Sequence, residues 1–505
     1  MVGQNSMKKG IYYLLVLILL FNIKATSCPV SISGIVLDAA TKEPLLYANI
    51  EVQGKSRGTV SNSEGRFLLD TADLLSDDTI VFSYIGYETI KIRLENLMKS
   101  GEVLMVQASG LLKEIQVVAQ KLTIEEILKK VKENFNKNHQ ASIDKKHLFF
   151  HSYERTPFHH NNQIVLKKSN FVGMDKTTFN ELFKKMPSEV VEYEDIIVNL
   201  YGNGTTYKLI PEKAISLEDG TQKTLLKEFE DRLDIFFSDI EKSRENEEIY
   251  YKIRTGILSK KIKNNSSNES TWTTNKNDTL NYIVNTDLVK SEILYLLKEY
   301  TLVESKNWEF INSIKKYNYT LLEITILDDE PVYKIQFVPH NQGLFEGTMY
   351  ISTSSFAVLK LDFAFAKGKK SENFKLLGVG HSIDFKEAHI IFQKGKTSYY
   401  PKFISVNQNE FASIDRSFSI TKKEKRFFID KELNEMKLDL KISFNSESKW
   451  ELLVMDVEDI DESGFNLIIQ PATMKFKKEY AYNPETWKNR TILVPSSELK
   501  KYQNK

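Results

Sequence analysis

The sequence predicts a mainly β protein in which a small seven-stranded β-sandwich precedes a larger, curved antiparallel sheet with a few helices. Between residues 30 and 106, short runs of β-branched and aromatic residues alternate with Gly, Pro, Asn and Asp, the pattern of short strands joined by turns. Beyond residue 306, further runs of this kind follow one another. The aromatic content of 11% is mostly Phe and Tyr, which favour strands.

Residues 1–27 are predicted to be a secretory signal peptide. Two lysines precede an apolar run from Ile11 to Ile23, and small residues end the segment. The run is shorter than the roughly 20 residues that cross a bilayer, and Lys24 ends it. The sequence therefore predicts export.

Cys28 is the only cysteine and follows the predicted cleavage point. It is either lipidated, which would tether the protein peripherally to a membrane, or a bystander beside an ordinary cleavage site. Ala25 stands where lipoprotein signals favour Leu, so the bystander interpretation is preferred. With one cysteine no intramolecular disulfide forms, and stability must come from the hydrophobic cores.

The charge balance argues against nucleic acid as a partner. The chain has 69 Lys and Arg residues against 68 Asp and Glu residues, a formal net charge of +1. Proteins that bind nucleic acid concentrate positive charge instead. A length of 505 residues allows two or three domains.

The sandwich is predicted over residues 30–106. Its loops carry the residues that turns require: Asp38 and Thr41 can bond the loop backbone, Pro44 fixes φ, and Gly65 supplies a positive φ. The clearest strand-like runs are Ile32 to Leu37, Ala48 to Val52 and Ile80 to Tyr84.

An ordered set of residues in this segment carries a family resemblance: Gly34, Asp38, Pro44, Ala48-Asn49-Ile50, Gly54, Gly58-Thr59, Glu64-Gly65, Phe67 and Ile85-Gly86-Tyr87. The set resembles the carboxypeptidase-regulatory-like domain of secreted Bacteroidetes proteins, a transthyretin-like or Ig-like sandwich. Glu64 departs from the family, which more often has Asp there. The resemblance implies an accessory or interaction role, with no catalysis in the sandwich itself.

Residues 107–140 are predicted to connect the sandwich to the rest of the chain. An extended apolar stretch from Gly110 to Ala119 is followed by a capping box of Thr123 and Glu126. The helix is expected to end between Asn136 and Asn138, with one apolar face formed by Ile124, Ile127, Leu128, Val131 and Phe135. This order resembles the connector of uncharacterised Bacteroidetes outer-membrane-associated proteins.

Residues 141–505 are predicted to form a β-rich domain with helical insertions. Apolar stripes over 225–240 and 288–300 predict two helices, and the polar stretch 260–278 predicts an exposed loop. The segment from Val332 to Phe365 resembles the hairpin of lipoprotein-carrier-like half-barrels, whose curved sheet wraps an apolar hollow. The predicted strands are Leu148 to Tyr153, Ile196 to Leu200, Tyr319 to Leu327, Val332 to Val338, Leu344 to Ser352, Phe356 to Phe365, and runs near His389 to Gln393, Ser398 to Gln408 and Leu438 to Phe444.

Five of the eight histidines cluster in the sequence: His139, His147, His151, His159 and His160. His147 and His151 have the i, i+4 spacing of a helical metal pair. The residues between them favour a strand, in which side chains four residues apart stand about 13 Å from each other. We therefore predict no metal site here, and no catalytic or cofactor-binding residues and no cofactor elsewhere.

Glycine and acidic motifs are predicted to be turns or solvated faces. Gly54-Lys55-Ser56 lacks the earlier glycine of a phosphate loop, and Gly378-Val379-Gly380 lacks the third glycine of a dinucleotide site. Asp328-Asp329 lies between two predicted strands and reads as a turn. The other acidic groups are Asp77-Asp78 and the set Asp456, Glu458 and Asp459.

The tryptophans leave two interpretations open. A stacking platform for sugar and ordinary core packing would both use such side chains, and core packing is commoner in β-rich proteins. The residues concerned are Trp272, Trp308, Trp450 and Trp487, with Tyr399-Tyr400.

These observations predict a non-enzymatic, exported cell-envelope protein, periplasmic or associated with the outer membrane or cell surface. It would dock a protein partner through the sandwich, whose strand edges can add a strand, or hold an apolar ligand in the curved sheet. The alternative is a secreted or periplasmic hydrolase of glycan or peptide, which requires two carboxylates facing each other across a cleft. A TonB-dependent receptor would share the sandwich, but the chain after Gln140 is expected to be too short for its barrel.

Overall fold

The computed structural model describes residues 31–108, 122–139, 142–158, 162–171, 174–184, 187–218, 248–255, 258–262, 281–488 and 490–502. Several predictions lie outside these residues. They concern the signal peptide, Cys28, the stretch from Gly110 to Ala119, His159 and His160, the stripe over 225–240, and Trp272.

The predicted seven-stranded sandwich is confirmed. One sheet has the order β4-β1-β7 and the other β3-β2-β5-β6. Side chains such as Val36, Ile50, Phe67 and Phe82 fill the space between the two sheets. The strands are β1 (Ser31–Asp38), β2 (Asn49–Val52), β3 (Gly58–Val60), β4 (Arg66–Asp70), β5 (Thr79–Ser83), β6 (Ile90–Arg93) and β7 (Glu102–Met105), with a short helix α1 (Leu94–Ser100) before β7.

Asp38 organises one end of the sandwich. As predicted, it bonds its own loop: its carboxylate accepts from the backbone N–H groups of Ala40 (2.7 Å) and Thr41 (2.8 Å). It also accepts from the Tyr87 hydroxyl at 2.6 Å and from Gln107 Nε2 at 3.0 Å. The hydrogen bond from Tyr87, followed by those of the loop, holds the pKa of Asp38 well below its usual value.

The predicted capping box begins the connector helix, α2 (Ile124–Asn138). Thr123 Oγ1 accepts from the Glu126 N–H, and the Glu126 carboxylate accepts from the Thr123 N–H at 2.7 Å. The predicted apolar face is largely buried, with Ile127, Leu128 and Val131 inaccessible to solvent. Both the start and the end of the helix agree with the sequence pattern.

The rest of the chain builds an open sheet of sixteen strands within the described residues. Twelve of them form the path β14-β23-β11-β10-β8-β22-β21-β20-β18-β17-β16-β15, and the other four pair onto β20, β21, β22 or one another. The strands are β8 (Asp144–Pro157), β9 (Gln163–Ser169), β10 (Glu189–Gly202), β11 (Tyr207–Glu218), β12 (Ile249–Thr255), β13 (Leu258–Ile262), β14 (Asn281–Asn285), β15 (Tyr317–Leu327), β16 (Glu330–Pro339), β17 (Phe345–Ser352), β18 (Val358–Phe365), β19 (Ser371–Leu376), β20 (Val379–Lys394), β21 (Tyr399–Glu424), β22 (Lys431–Asp459) and β23 (Thr473–Glu479).

Helices accompany the sheet at several points. They are α3 (Lys176–Lys184), α4 (Thr286–Thr301), α5 (Glu309–Asn312), α6 (Glu462–Leu467) and α7 (Ser497–Lys500). Of these, α4 is the second predicted stripe, and its residues Val289, Ile293 and Leu296 are buried. No helix among the described residues is long and apolar enough to cross a membrane.

The two faces of the sheet are covered differently. On one face, α2, α4 and the turn that carries Trp308 pack on apolar side chains of the strands. This face corresponds to the predicted apolar hollow, and the chain's own helices occupy it. On the other face, the sandwich and a segment near the C-terminus pack on Phe149, Phe403 and Leu453. The sandwich is therefore docked on the sheet rather than tethered beside it.

Candidate functional site

The C-terminal segment, residues 480–488 and 490–502, crosses the junction between the sandwich and the sheet. Asn62 Nδ2 donates to the Val494 carbonyl at 3.0 Å, and the Asp70 N–H donates to Thr491 Oγ1 at 2.9 Å. These bonds cover the edge strand β4. A depression lies on each side of the segment, and we name them the Arg66 groove and the His151 cleft.

The outer face of β1 and β4 forms the floor of the Arg66 groove. Side chains alternate along a strand, so Ser33 and Ile35 point away from the sandwich core, as do their cross-strand partners Leu68 and Arg66. The C-terminal segment forms the wall. The groove has a volume of about 550 Å³. Its lining consists of Ser31, Ser33, Gly34, Ile35, Arg66, Phe67, Leu68, Gly101, Tyr482, Pro484, Trp487, Lys488, Ile492, Val494, Pro495 and Lys500.

Positive charge distinguishes this groove. Its lining includes Arg66, Lys488 and Lys500 and no Asp or Glu. Two carboxylates stand at the rim: Glu64 lies 4.0 Å from Arg66, and Glu485 lies 2.9 Å from Lys488. The remaining lining is mostly apolar or aromatic, with the hydroxyl side chains of Ser31 and Ser33 on β1. An extended, apolar ligand that carries negative charge fits this chemistry.

Glu64 ties the wall of the groove to the sandwich. Its carboxylate accepts from the Ser497 N–H at 2.7 Å and from the Ser497 hydroxyl at 2.9 Å. These bonds, the backbone one first, lower the pKa of Glu64. The shorter Asp that the family more often has at this position would not extend as far, so the departure noted in the sequence coincides with a contact between domains.

The His151 cleft brings three titratable side chains into one row. Asp195, His151 and Glu451 are direct cross-strand neighbours on β10, β8 and β22. His151 Nδ1 and Asp195 Oδ1 are 2.6 Å apart. The cleft has a volume of about 240 Å³ and is closed on one side by Leu493, Val494 and Pro495 of the C-terminal segment.

Glu451, an acidic side chain of this row, already has polar partners. Glu451 lies 2.8 Å from Lys449 and accepts from Ser405 Oγ at 3.4 Å. Tyr153 lies against Tyr193, with ring centroids 4.9 Å apart, and burial raises the pKa of Tyr153 to about 12. Among the described residues, no serine hydroxyl bonds His151. His151 and Asp195 therefore form a hydrogen-bonded pair, and in the described part of the chain no hydroxyl or thiol nucleophile is bonded to it.

The same row continues beneath the sandwich. Ser405 on β21, His389 on β20 and Asp362 on β18 are successive cross-strand neighbours of Glu451. His389 Nδ1 lies 2.9 Å from Asp362, but the Ser405 hydroxyl is directed at Glu451 instead. Tyr47 of the sandwich lies on His389, with ring centroids 5.3 Å apart. Ser405 is fully buried, so this Ser, His and Asp set is part of the domain junction.

Lys402 is a buried charge at the same junction. It is inaccessible to solvent, and its Nζ has no hydrogen-bond partner in the described part of the chain. Burial lowers its pKa to about 8, against the opposing effect of Glu51 and Asp456. The sequence placed Lys402 inside a predicted strand and gave no sign of this burial, which follows from the docking of the sandwich.

The predicted histidines separate in the structure. His147 and His151 lie on one strand, as predicted, and bond Glu212 (3.0 Å) and Asp195 respectively. His139 follows α2 and stacks on Phe135 with a centroid distance of 4.5 Å. Within the described ranges, no three His, Cys, Asp or Glu side chains are grouped as metal ligands. The sequence indicates His151 only as a candidate metal ligand, because its pairing with Asp195 depends on strand register, which cannot be read from the sequence.

The predicted turns and core aromatics agree with the structure. Gly54 and Gly378 have φ of 75° and 77°, and Asp328 and Asp329 form a turn with φ of 50° and 59°. Trp308 and Trp487 are buried in the cores, which confirms core packing for these two side chains. Trp450 donates its indole N–H to Glu292 at 3.2 Å. Tyr399 is buried as well.

Comparison with known proteins agrees with the sandwich geometry. Residues 32–118 match the family model described as the CarboxypepD_reg-like domain. The N-terminal segment is a CarboxypepD_reg-like domain. Residues 311–410, which hold β15 to β20 and the first part of β21, match a family of unknown function, DUF5686.

The TonB-dependent receptor SusC of Bacteroides thetaiotaomicron is similar to the region that contains the CarboxypepD_reg-like domain. The two chains are 32% identical over 117 residues, which is 22% of this chain and 11% of the receptor. The chain thus covers about a tenth of that relative's length. Together with the domain match, this likeness fits a protein of the cell envelope.

Two solved structures overlap the chain more broadly. One is a crystal structure of MucB in complex with MucA(peri), at 5% identity over 67% of this chain and 100% of that chain. The other is the Pseudomonas aeruginosa MucA/MucB complex, at 5% identity over 66% of this chain and 99% of that chain. Both superpositions have a TM-score of 0.17, so neither supports an argument about fold or function.

Proposed function

We propose that this chain is a non-enzymatic, exported protein of the cell envelope that docks an extended, anionic segment of a partner protein in the Arg66 groove. The observation that carries the proposal is the groove itself. About 550 Å³ of space lies between a strand face and the C-terminal segment, lined by apolar side chains, two serines and three cations, with Glu64 and Glu485 at the rim. Pockets of about 300–1,000 Å³ with a few placed polar groups are typical binding sites.

The lining suits a peptide better than a compact ligand. An extended peptide presents side chains alternately, so one side can contact Ile35 and Leu68 while acidic groups meet Arg66 and Lys500. Arg binds carboxylates with two parallel hydrogen bonds, which would fix the register of the bound segment. Proline and aromatic side chains in the wall add apolar contact at low conformational cost.

The other binding modes expected from the sequence gain less support. Strand addition at β4 would have to displace the C-terminal segment, which bonds that edge through Thr491. An acyl chain in the hollow of the sheet would have to displace α2 and α4. Placement at the outer membrane is supported by the likeness of the N-terminal region to a TonB-dependent receptor.

Peptide selection tests the proposal. Random twelve-residue peptides displayed on phage are selected on residues 28–505, and the best peptide is measured by fluorescence anisotropy. We expect selected peptides to combine apolar and acidic residues. The double variant Arg66→Glu, Lys500→Glu should weaken binding at least tenfold, because it reverses the charges that face the peptide.

A matched charge reversal provides the control. Lys137 is exposed on α2, on the other face of the sheet, and Lys137→Glu should leave the affinity unchanged. Two results would contradict the proposal: no peptide rises above background, or the selected peptides bind the double variant as tightly as the wild type.

One observation keeps a hydrolase as the second candidate. Asp195 and Glu451 lie on the two strands that flank the strand of His151. Two strand spacings place their backbones about 10 Å apart. This distance is close to the largest separation between the two carboxylates in glycoside hydrolases. Chromogenic glycosides and fluorogenic peptides test this candidate. Turnover that Glu451→Gln and Asp195→Asn both abolish, in folded protein, would establish the hydrolase and remove the non-enzymatic part of our proposal.

A further inference from the structure

The long β21–β22 hairpin ends in an exposed apolar tip. Pairing of the two strands ends at Glu424 and Lys431. In the loop between them, Phe427, Phe428 and Ile429 are 94%, 89% and 82% exposed. Single exposed apolar residues are common on protein surfaces, but three consecutive ones at the end of a hairpin indicate an interaction site.

The loop is fixed in the conformation that exposes these side chains. Asp430 accepts from the Arg426 N–H at 3.3 Å and from the Tyr250 hydroxyl at 2.5 Å. The Lys425 N–H donates to the Glu248 carbonyl at 2.6 Å. Phe427 and Phe428 pack edge to face, with ring centroids 4.8 Å apart. The apolar side chains are therefore presented outward by a loop whose base is hydrogen-bonded.

The surroundings of the tip are basic. Over residues 422–432, five cations stand against three carboxylates: Lys422, Lys423, Lys425, Arg426 and Lys431 against Glu424, Asp430 and Glu432. Two of the carboxylates already pair with cations, Glu432 with Lys423 at 2.9 Å and Glu424 with Arg426 at 3.4 Å. Aromatic and aliphatic side chains bordered by Lys and Arg match the boundary between acyl chains and anionic headgroups.

The apolar surface area of the tip favours a membrane over a protein as its partner. A stable protein interface covers about 800 Å² on each side. Three large apolar side chains supply about 450–750 Å², which is less than this area. Insertion into a bilayer surface needs only an apolar element that reaches about 5–10 Å below the headgroups.

We propose that the tip formed by Phe427, Phe428 and Ile429 inserts into the surface of an anionic lipid bilayer. The aromatic and aliphatic side chains enter the acyl boundary, and the neighbouring Lys and Arg side chains contact lipid phosphates. This contact is separate from the Arg66 groove and does not depend on the function proposed for that groove.

Vesicle flotation tests the insertion. Residues 28–505, which keep every described element and lack the predicted signal peptide, are mixed with vesicles of phosphatidylethanolamine and phosphatidylglycerol or of phosphatidylcholine alone. We expect binding to the anionic vesicles and at least tenfold less to the neutral ones. The triple variant Phe427→Ser, Phe428→Ser, Ile429→Ser should lose at least tenfold of the anionic binding.

A second exposed apolar pair serves as the matched control. Leu467 and Ile469 are 80% and 86% exposed, but they follow Asp459, Asp461 and Glu462. The variant Leu467→Ser, Ile469→Ser should bind vesicles as the wild type does. In the variant Phe428→Trp, vesicle addition should shift the tryptophan emission to the blue, and brominated lipid should quench it.

Three results would overturn the proposal. The wild type fails to bind anionic vesicles, the triple serine variant binds them equally well, or the tip instead mediates self-association that the triple variant abolishes in sedimentation. The double variant Arg66→Glu, Lys500→Glu should retain vesicle binding. The proposal of peptide binding in the Arg66 groove and the proposal of membrane insertion by the tip can therefore fail independently.

Discussion

His139 shows how burial, rather than pairing, determines the acid–base behaviour of a single residue. Its ring lies between Phe135 and Phe392, and its Nε2 has no hydrogen-bond partner in the described part of the chain. Burial lowers its pKa from 6.5 to about 4. The unfolded chain therefore binds this proton more readily than the folded chain does, and stability is lost as the pH falls from about 6.5 to 4.

His139→Phe should make the protein less sensitive to acid. Phe keeps the aromatic packing and has no proton to bind. Between pH 7 and pH 5, the free energy of unfolding of the variant should fall by about 2 kcal/mol less than that of the wild type. Urea unfolding at the two pH values measures this difference. His340→Phe, at an exposed position, should behave as the wild type does, and an equal acid sensitivity of the His139 variant would refute the prediction.

Lys402 should make stability depend on pH in the alkaline range. Its pKa of about 8 lies below the ordinary lysine value of 10.5, so between these values the unfolded chain binds more protons and stability rises with pH. Lys402 should raise the free energy of unfolding by about 3 kcal/mol at most across this pH range. Lys402→Met should lack it, whereas Lys99→Met, at an exposed position, should retain it. Parallel unfolding curves of wild type and Lys402→Met across this window would contradict the assignment.

At the scale of elements, the capping box at the start of α2 was predictable because all its residues are local. Thr123→Ala removes one of the two reciprocal bonds and should lower the free energy of unfolding by about 1 kcal/mol. Glu133→Ala, on the exposed side of the same helix, should change it by less than about 0.5 kcal/mol. Thermal unfolding compares them, and equal effects of the two substitutions would show that the cap does not stabilise α2.

Glu64→Asp should loosen the C-terminal segment without disturbing the turn that holds Gly65. The shorter side chain loses its hydrogen bonds to Ser497. Because these bonds lie near the surface, the free energy that holds the segment in place should fall by only about 0.7 kcal/mol. Trypsin should then cleave at Lys488 and Arg490 about threefold faster. Glu102→Asp, on β7, is the control. Unchanged cleavage in Glu64→Asp would mean that other contacts hold the segment.

Local patterns could be predicted from the sequence, whereas long-range pairing could not. The strands of the sandwich and the meander β15 to β18 alternate regularly and are separated by turn residues, which a sequence displays. Of β21 and β22, at 26 and 29 residues, only the runs near Ser398 to Gln408 and Leu438 to Phe444 were predicted, although one face of their far halves is apolar at positions such as Ile414, Phe418 and Leu440. Asp195, His151 and Glu451 form a row only because three strands align in register, which their local sequences do not encode.

For the whole molecule, the decisive feature is that the CarboxypepD_reg-like domain is packed onto the large sheet. Tyr47 and Val60 of the sandwich contact the same sheet face as Trp487 and Leu493 of the C-terminal segment. This packing buries Lys402 and covers the row of Ser405, His389 and Asp362. It also forms the Arg66 groove and the His151 cleft. The candidate binding site is therefore a property of the assembled chain, and neither domain contains it alone.

Amide hydrogen exchange with a selected peptide tests the central claim most directly, because it locates binding along the chain. Our account predicts slower exchange in residues 31–35, 66–68 and 482–495 on peptide addition, with no change in the β21–β22 tip. Protection around His151 and Asp195 alone, or protection that the variant Arg66→Glu, Lys500→Glu retains, would contradict it.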